Sequence, residues 1–515
     1  MDRRQILKLL GSTLAGSAAG VLTPGAFAQY GTNPLWIPPL LPGDPRQGRR
    51  HYDLRLAPGS RRFLPGLSTP TLGINGDYLG PTLRMAAGDA VTMHVNNRMG
   101  EPTTLHWHGL HVPVIADGGP HQVINPGDTW EPGFSILQKG GTFWYHSHLL
   151  DYTGDQVYRG LAGMIIIDDE KTRQEGLPGR YGVDDIPLVV QDRLFAPDGS
   201  FQYVRMHSDI MTGMFGDTIL VNGTVSPFFT PETDKVRFRL LNGSNARTYT
   251  FAFSDGRPFS MIASDGGLLS APVSLNGLEL APAERAEVVV DFSDGNPVDL
   301  VSLPMAADSS NNARGMMRNM HPMNSRGFDI LAIRPQSRRD SSPALPAMLT
   351  EIRPMAESEA VVERRLVLSM AMGMGMGMGG GTGRGGPGAG GMGRRGMGGG
   401  MMGGDFFING EPMNMGVINQ HVIMGDTEIW EIANDSMMMH PFHIHHGQFR
   451  ILSRNGQRPP LQEMGYKDTV KVGPGETVRF IMKFENFSDA RRPYMYHCHI
   501  LEHEDNGMMG QFIVV

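Results

Sequence analysis

The 515-residue chain has one cysteine, Cys498, so no disulfide can form within it. No apolar run reaches the ~20 residues that cross a bilayer, which excludes a stable membrane span. Charged residues are sparse at 19%, and the net charge is −7. That balance excludes nucleic acid as a partner and suits attraction of cations. Helical periodicity is almost absent as well. Short alternating segments broken by Gly, Pro and Asn turns read instead as all-β sandwiches.

What is present is a module used three times. Ile74-Asn75-Gly76, Val221-Asn222-Gly223 and Ile408-Asn409-Gly410 mark the repeats, 147 and 187 residues apart. Each is followed by a β-rich run ending in Asn: Val91–Asn96, Val236–Asn242 and Glu428–Asn434. Later turns recur at Pro126-Gly127-Asp128-Thr129, Pro282-Ala283-Glu284-Arg285 and Pro474-Gly475-Glu476-Thr477. The expectation is three sandwich domains at 45–175, 185–340 and 360–515. An insertion at 370–402, with nine Met and seventeen Gly in 33 residues, cannot build a core. Residues 1–28 read as a twin-arginine signal peptide: Arg3-Arg4-Gln5-Ile6-Leu7-Lys8, a weakly apolar stretch, then Ala26-Phe27-Ala28. That predicts passage through the twin-arginine export machinery and a periplasmic location.

The histidines repeat with the outer modules. The first has His106-Trp107-His108 and His146-Ser147-His148; the third has His443-Ile444-His445 and His497-Cys498-His499. Alternation along a strand turns both imidazoles of a His-x-His pair one way and the middle residue the other. Cys498 therefore faces a different centre from His497 and His499. One thiolate, two His and a weak axial Met form the ligand set of a blue-copper site. His440, Cys498, His503 and Met508 are the predicted set, with neighbouring Met509 leaving the axial position open. Ser147 offers no soft sulfur, so the first module should hold no such centre. The eight paired His exceed the needs of one ion and predict a cluster between domains 1 and 3. His51, His94, His207, His321 and His421 lie outside these motifs. His111 and His446 are expected behind the ligands or at the surface.

These four motifs resemble those of the multicopper oxidases along the whole mature chain. The resemblance implies three cupredoxin-like Greek-key β-sandwich domains and four copper ions: one type 1, one type 2 and a type 3 pair. By motif position it implies His106 and His443 at type 2 copper. It implies His108, His146, His148, His445, His497 and His499 at the type 3 pair. It also implies four one-electron oxidations coupled to reduction of O2 to water, with Asp117 and Glu504 in proton supply and ligand orientation.

The Met-rich insertion, and Met437-Met438-Met439 beside His440, bring soft sulfur near the electron-entry site. In this the chain resembles the periplasmic copper-efflux oxidases, which implies Cu(I) as reductant and a role in copper tolerance. A substrate site from Met370, Asp435 and Met438 is expected. Relatives of that kind have Asp where this chain has Ser436. The competing readings are a laccase acting on phenols, a copper-buffering protein and an exported structural protein. A monomer is the default.

Overall fold

The computed structural model describes residues 30–304, 327–371 and 405–515. The predicted signal peptide, and the 370–402 insertion beyond Ala371, lie outside the described residues. The fold is three cupredoxin-like β-sandwiches, each made of two facing sheets. Among the described residues no helix is long and apolar enough to cross a membrane.

Alternation builds the sandwiches. Strand Ala90–Asn97 alternates half-buried and buried side chains, sending Val91, Met93 and Val95 into the first core. The three Asn-Gly turns are structurally equivalent. Asn75, Asn222 and Asn409 adopt φ of 56°, 50° and 56°. Each side-chain Oδ1 accepts a backbone N–H from a neighbouring strand: Arg55 at 2.7 Å, Val189 at 2.8 Å and Val367 at 2.8 Å. The strand-ending asparagines repeat too, with one correction. The counterpart of Asn242 and Asn434 is Asn97, not Asn96, because position 97 faces inward. All three reach across their sandwich, to the carbonyls of Ile124, Leu280 and Val472.

The inner sheets of domains 1 and 3 set the motifs side by side. Strand His106–His108 pairs with Gly141–His146, putting His106 opposite His146. Strand His440–Ile444 pairs with Asp489–Cys498, putting His443 opposite His497 and Phe442 opposite Cys498. His148, His445 and His499 fall just past the strand ends. The N-terminal arm crosses between domains: Asn33–Pro34 joins a sheet of domain 2, and Leu40–Leu41 a sheet of domain 1. Phe63, Tyr78, Trp144, Val189 and Leu220 form an apolar core between these two domains.

Candidate metal centre

Cys498, His440 and His503 converge in the core of domain 3. The thiol sulfur lies 3.4 Å from His440 Nδ1 and 3.8 Å from His503 Nδ1, and the two nitrogens are 3.2 Å apart. Local contacts hold each ligand. Ser436 Oγ meets His440 Nε2 at 2.8 Å, leaving Nδ1 toward the sulfur. Phe406 stacks on His503, with ring centroids 4.1 Å apart. The Ile500 N–H points at Sγ from 3.4 Å. Met508 is fully buried in the same core, and its carbonyl accepts the Cys498 N–H at 3.0 Å.

The eight paired histidines meet at the seam of domains 1 and 3, all buried. His106 stacks on His445 at 4.0 Å and His108 on His443 at 3.7 Å, two ring-on-ring contacts across the domains, while His148 meets His445 and His497 edge-on. Three histidine triples able to hold a cation result: His108, His146 and His499; His148, His445 and His497; and His106, His443 and His445. His497 and His499 thus serve different triples of one cluster, while Cys498 between them belongs to the separate sulfur site.

The donor set fits soft or borderline cations. Burial pushes the pKa of His440 down to about 3. It lowers those of His108, His146, His148, His443, His445, His499 and His503 well below the usual imidazole range, helped by neighbouring imidazoles. The rings face one another nitrogen to nitrogen, His148 Nε2 lying 3.3 Å from His445 Nε2 and 3.2 Å from His497 Nε2. Buried His106 Nε2, His443 Nε2 and His499 Nε2 have no hydrogen-bond partner. Buried polar atoms left bare are rare, and a cation would satisfy these together. Burial also raises the Cys498 pKa, so its thiolate needs an adjacent cation. Imidazole with thiolate is a copper donor set.

Two carboxylates support the rings. Asp117 Oδ2 lies 2.7 Å from His445 Nδ1, and the Asp117 carbonyl lies 2.8 Å from His106 Nδ1. Burial pushes the Asp117 carboxyl up to about 6, opposed by His106 and His497. Glu504 places one oxygen 3.2 Å from His148 Nδ1 and the other 3.1 Å from His497 Nδ1, off the hydrogen-bond line. Sequence reasoning missed Asp468, whose Oδ1 is 3.1 Å from His108 Nε2 and whose carbonyl is 2.8 Å from His443 Nδ1. No motif marks it; it follows His443 by 25 residues, in the bend just before strand Thr469–Val472.

The other assigned residues are scattered by comparison. Met438 is buried, Asp435 is exposed and Met370 is half-buried. The parallel register pairs Leu368 with Asn434, bringing Met370 level with Ser436. His446 is buried rather than at the surface. It adopts φ of 82°, and its ring lies 4.8 Å from that of His111.

Three cupredoxin-like domains, with a histidine cluster between the outer two and a Cys-His-His centre in the last, define an oxidase architecture built around copper. Multicopper oxidase family profiles match residues 56–172, 198–311 and 393–515. A multicopper oxidase of Staphylococcus haemolyticus is 35% identical over 473 residues, covering 91% of this chain and 89% of its own. The cell division protein FtsP of Dickeya dadantii is 33% identical, covering 100% and 98%. Among solved structures, a laccase-like CueO from Ochrobactrum sp. superposes with a TM-score of 0.79 at 34% identity, covering 94% and 100%. A Campylobacter jejuni multicopper oxidase, described as a metallo-oxidase, gives 0.78 at 27%, covering 94% and 96%. The chain belongs to the multicopper oxidase family.

Proposed function

We propose that the chain is an exported four-copper oxidase that oxidises Cu(I) to Cu(II) at the expense of O2 and so serves copper tolerance. In this reading His440, Cys498, His503 and Met508 would hold the mononuclear copper. His106 and His443 would hold type 2 copper, and the other six paired histidines would hold the type 3 pair. Copper bound there would supply one-electron redox chemistry at the sulfur site and O2 reduction at the cluster.

The protein residues do the rest. The carrying observation is the run His497-Cys498-His499, in which one tripeptide serves both centres. It joins them by a covalent path of few bonds. Ser436 orients His440 from the far side of its ring. Four Cu(I) ions give up four electrons, and O2 takes these with four protons to become two waters. The protons must enter a buried site, where Asp117 and Glu504 are the carboxylates beside the ligand rings. The Cu(I) preference rests on soft sulfur: Met437, Met438 and Met439 precede His440, and Met370 lies on the adjoining strand. The twin-arginine signal accounts for delivery to the periplasm as a folded protein.

The Ochrobactrum protein, described as having oxidase activity towards lignin model compounds and lignosulfonate, favours phenol oxidation as the second reading. Likeness to cell division proteins raises a structural role, which the complete ligand set argues against. O2 consumption by copper-loaded protein, with Cu(I) or a phenol as sole reductant, separates the three. Faster turnover on Cu(I) supports the proposal, preference for phenol replaces it with a laccase, and no turnover on either points to the structural role.

A further inference from the structure

Among the described residues the middle domain supplies no histidine to either centre. It nevertheless reaches the cluster through Arg285. This side chain is fully buried, and all five of its N–H groups are used. Nε donates to the Thr142 carbonyl of domain 1 at 3.2 Å. Nη1 donates to the Ala283 carbonyl at 2.9 Å and to Asp468 Oδ1 at 2.7 Å. Nη2 donates to the Asp265 carbonyl at 3.0 Å and to Asp468 Oδ2. Asp468 belongs to domain 3 and His108 to domain 1, so the line Arg285–Asp468–His108 ties three domains together. Space for it comes from Gly109, at φ +83°. A Cβ there would stand 2.3 Å from Asp468 Oδ2 and 3.1 Å from Arg285 Nη2.

His108 is turned over relative to most of its partners. His106, His146, His443, His445 and His497 each present Nδ1 to a carbonyl or carboxylate oxygen, at 2.7 to 3.0 Å. Their protons belong on Nδ1, and Nε2 is left as the ligand. His108 presents Nε2 to Asp468 and Thr469, both at 3.1 Å, while Nδ1 faces His146 Nε2 at 3.3 Å. The hydrogen bond made by one ring nitrogen decides which lone pair is free at the other.

We propose that Arg285 is a positioning residue for the copper cluster: by clamping Asp468 from the middle domain, it fixes the His108 proton on Nε2 and leaves Nδ1 for the metal. This rests on the copper reading of the histidine cluster. Planar two-point contact holds the carboxylate in one orientation, which a lysine ammonium cannot reproduce. Without the clamp the Asp468 carboxylate is free to turn, and the Thr469 hydroxyl at 3.1 Å, which can donate or accept, selects the His108 tautomer only weakly.

The test uses the copper-loaded full chain with Arg285→Gln, Arg285→Lys and Asp468→Asn. Lys467→Met is the matched control. Lys467 pairs with Asp265 at 2.8 Å and Glu284 at 3.1 Å across the same seam; it shares Asp265 with Arg285, whose backbone N–H donates to Asp265 Oδ1 at 2.7 Å, but its ion pairs lie away from the Asp468 carboxylate and His108. Copper per chain, the blue absorption of the Cys498 site and the paramagnetic resonance of the cluster are measured. Arg285→Gln and Asp468→Asn are expected to keep the blue absorption, uncouple the copper pair so that a new resonance appears, and weaken cluster copper binding about tenfold or more. Arg285→Lys should restore only part of the signal, and Lys467→Met should leave it intact. Should Arg285→Gln fail to fold, nearly isosteric Asp468→Asn carries the test. An unchanged resonance in Asp468→Asn, or the same change in Lys467→Met, overturns the proposal. A wild-type chain that fills only the Cys498 site overturns the cluster reading and this proposal together.

Discussion

Domains 1 and 3 carry corresponding pockets with opposite solutions to the same burial problem. In domain 3, Cys498 sits between His497 and His499, and His440 lies three residues before His443. In domain 1 the matching positions are Ser147 and Thr103. Ser147 and Thr103 both donate to Gln156 Oε1, at 2.6 and 2.7 Å, and Gln156 Nε2 donates to the Pro102 carbonyl at 2.9 Å. That pocket satisfies its own polar groups. Its counterpart leaves a thiol and two imidazoles facing one another, satisfied together only by a cation. The difference between a candidate metal site and a structural pocket here is whether the buried donors and acceptors close among themselves.

Breaking the contrast from the domain 3 side should have the largest effect. Cys498→Ser gives that pocket the hydroxyl of domain 1; the expected result is loss of blue absorption and of one copper per chain, with O2 consumption at background. Removing the carboxylates beside the cluster should be next. Asp117→Asn and Glu504→Gln are expected to lower kcat roughly 10- to 100-fold while the blue absorption persists; rapid reduction of the blue centre followed by slow reoxidation in O2 would check it.

The reverse change sharpens the comparison. Ser147→Cys should create no second blue centre, because Thr103 and Gln156 offer no imidazole. It should cost about 1–3 kcal/mol by disturbing the Gln156 hydrogen bonds, read from thermal unfolding. Ser436→Ala removes a contact that domain 1 does not need. It should loosen His440, weakening the mononuclear copper about tenfold in a chelator titration. The smallest effect is expected from Met438→Ala and Asp435→Ala: a raised KM for Cu(I) with unchanged blue absorption.

Much of this was legible in the chain. Alternation with a period of two is local, so the turns at Asn75, Asn222 and Asn409 and the opposed directions of Cys498 and its flanking histidines could be read directly. The Asn96 for Asn97 error shows the limit, since a shift of one residue exchanges the faces of a strand. Asp468 and Arg285 were invisible because one stands in the bend before strand Thr469–Val472 and the other at the start of strand Arg285–Asp291, and each acquires its role from partners in other domains. Buried His446 illustrates the same point: its φ of 82° matches Gly109, at the same place after the corresponding His-x-His pair, yet only at Gly109 do Asp468 and Arg285 crowd the backbone.

The sequence by itself determined three β-sandwich modules, the two His-rich members among them and the residue types able to hold copper, because each follows from short-range pattern and donor chemistry. Only the tertiary structure decided how eight histidines from distant segments sort into triples, which ring nitrogen of His108 faces inward, and that the middle domain braces the cluster. Those outcomes depend on docking three domains across buried surfaces and ion pairs, and such contacts leave no periodic trace along the chain.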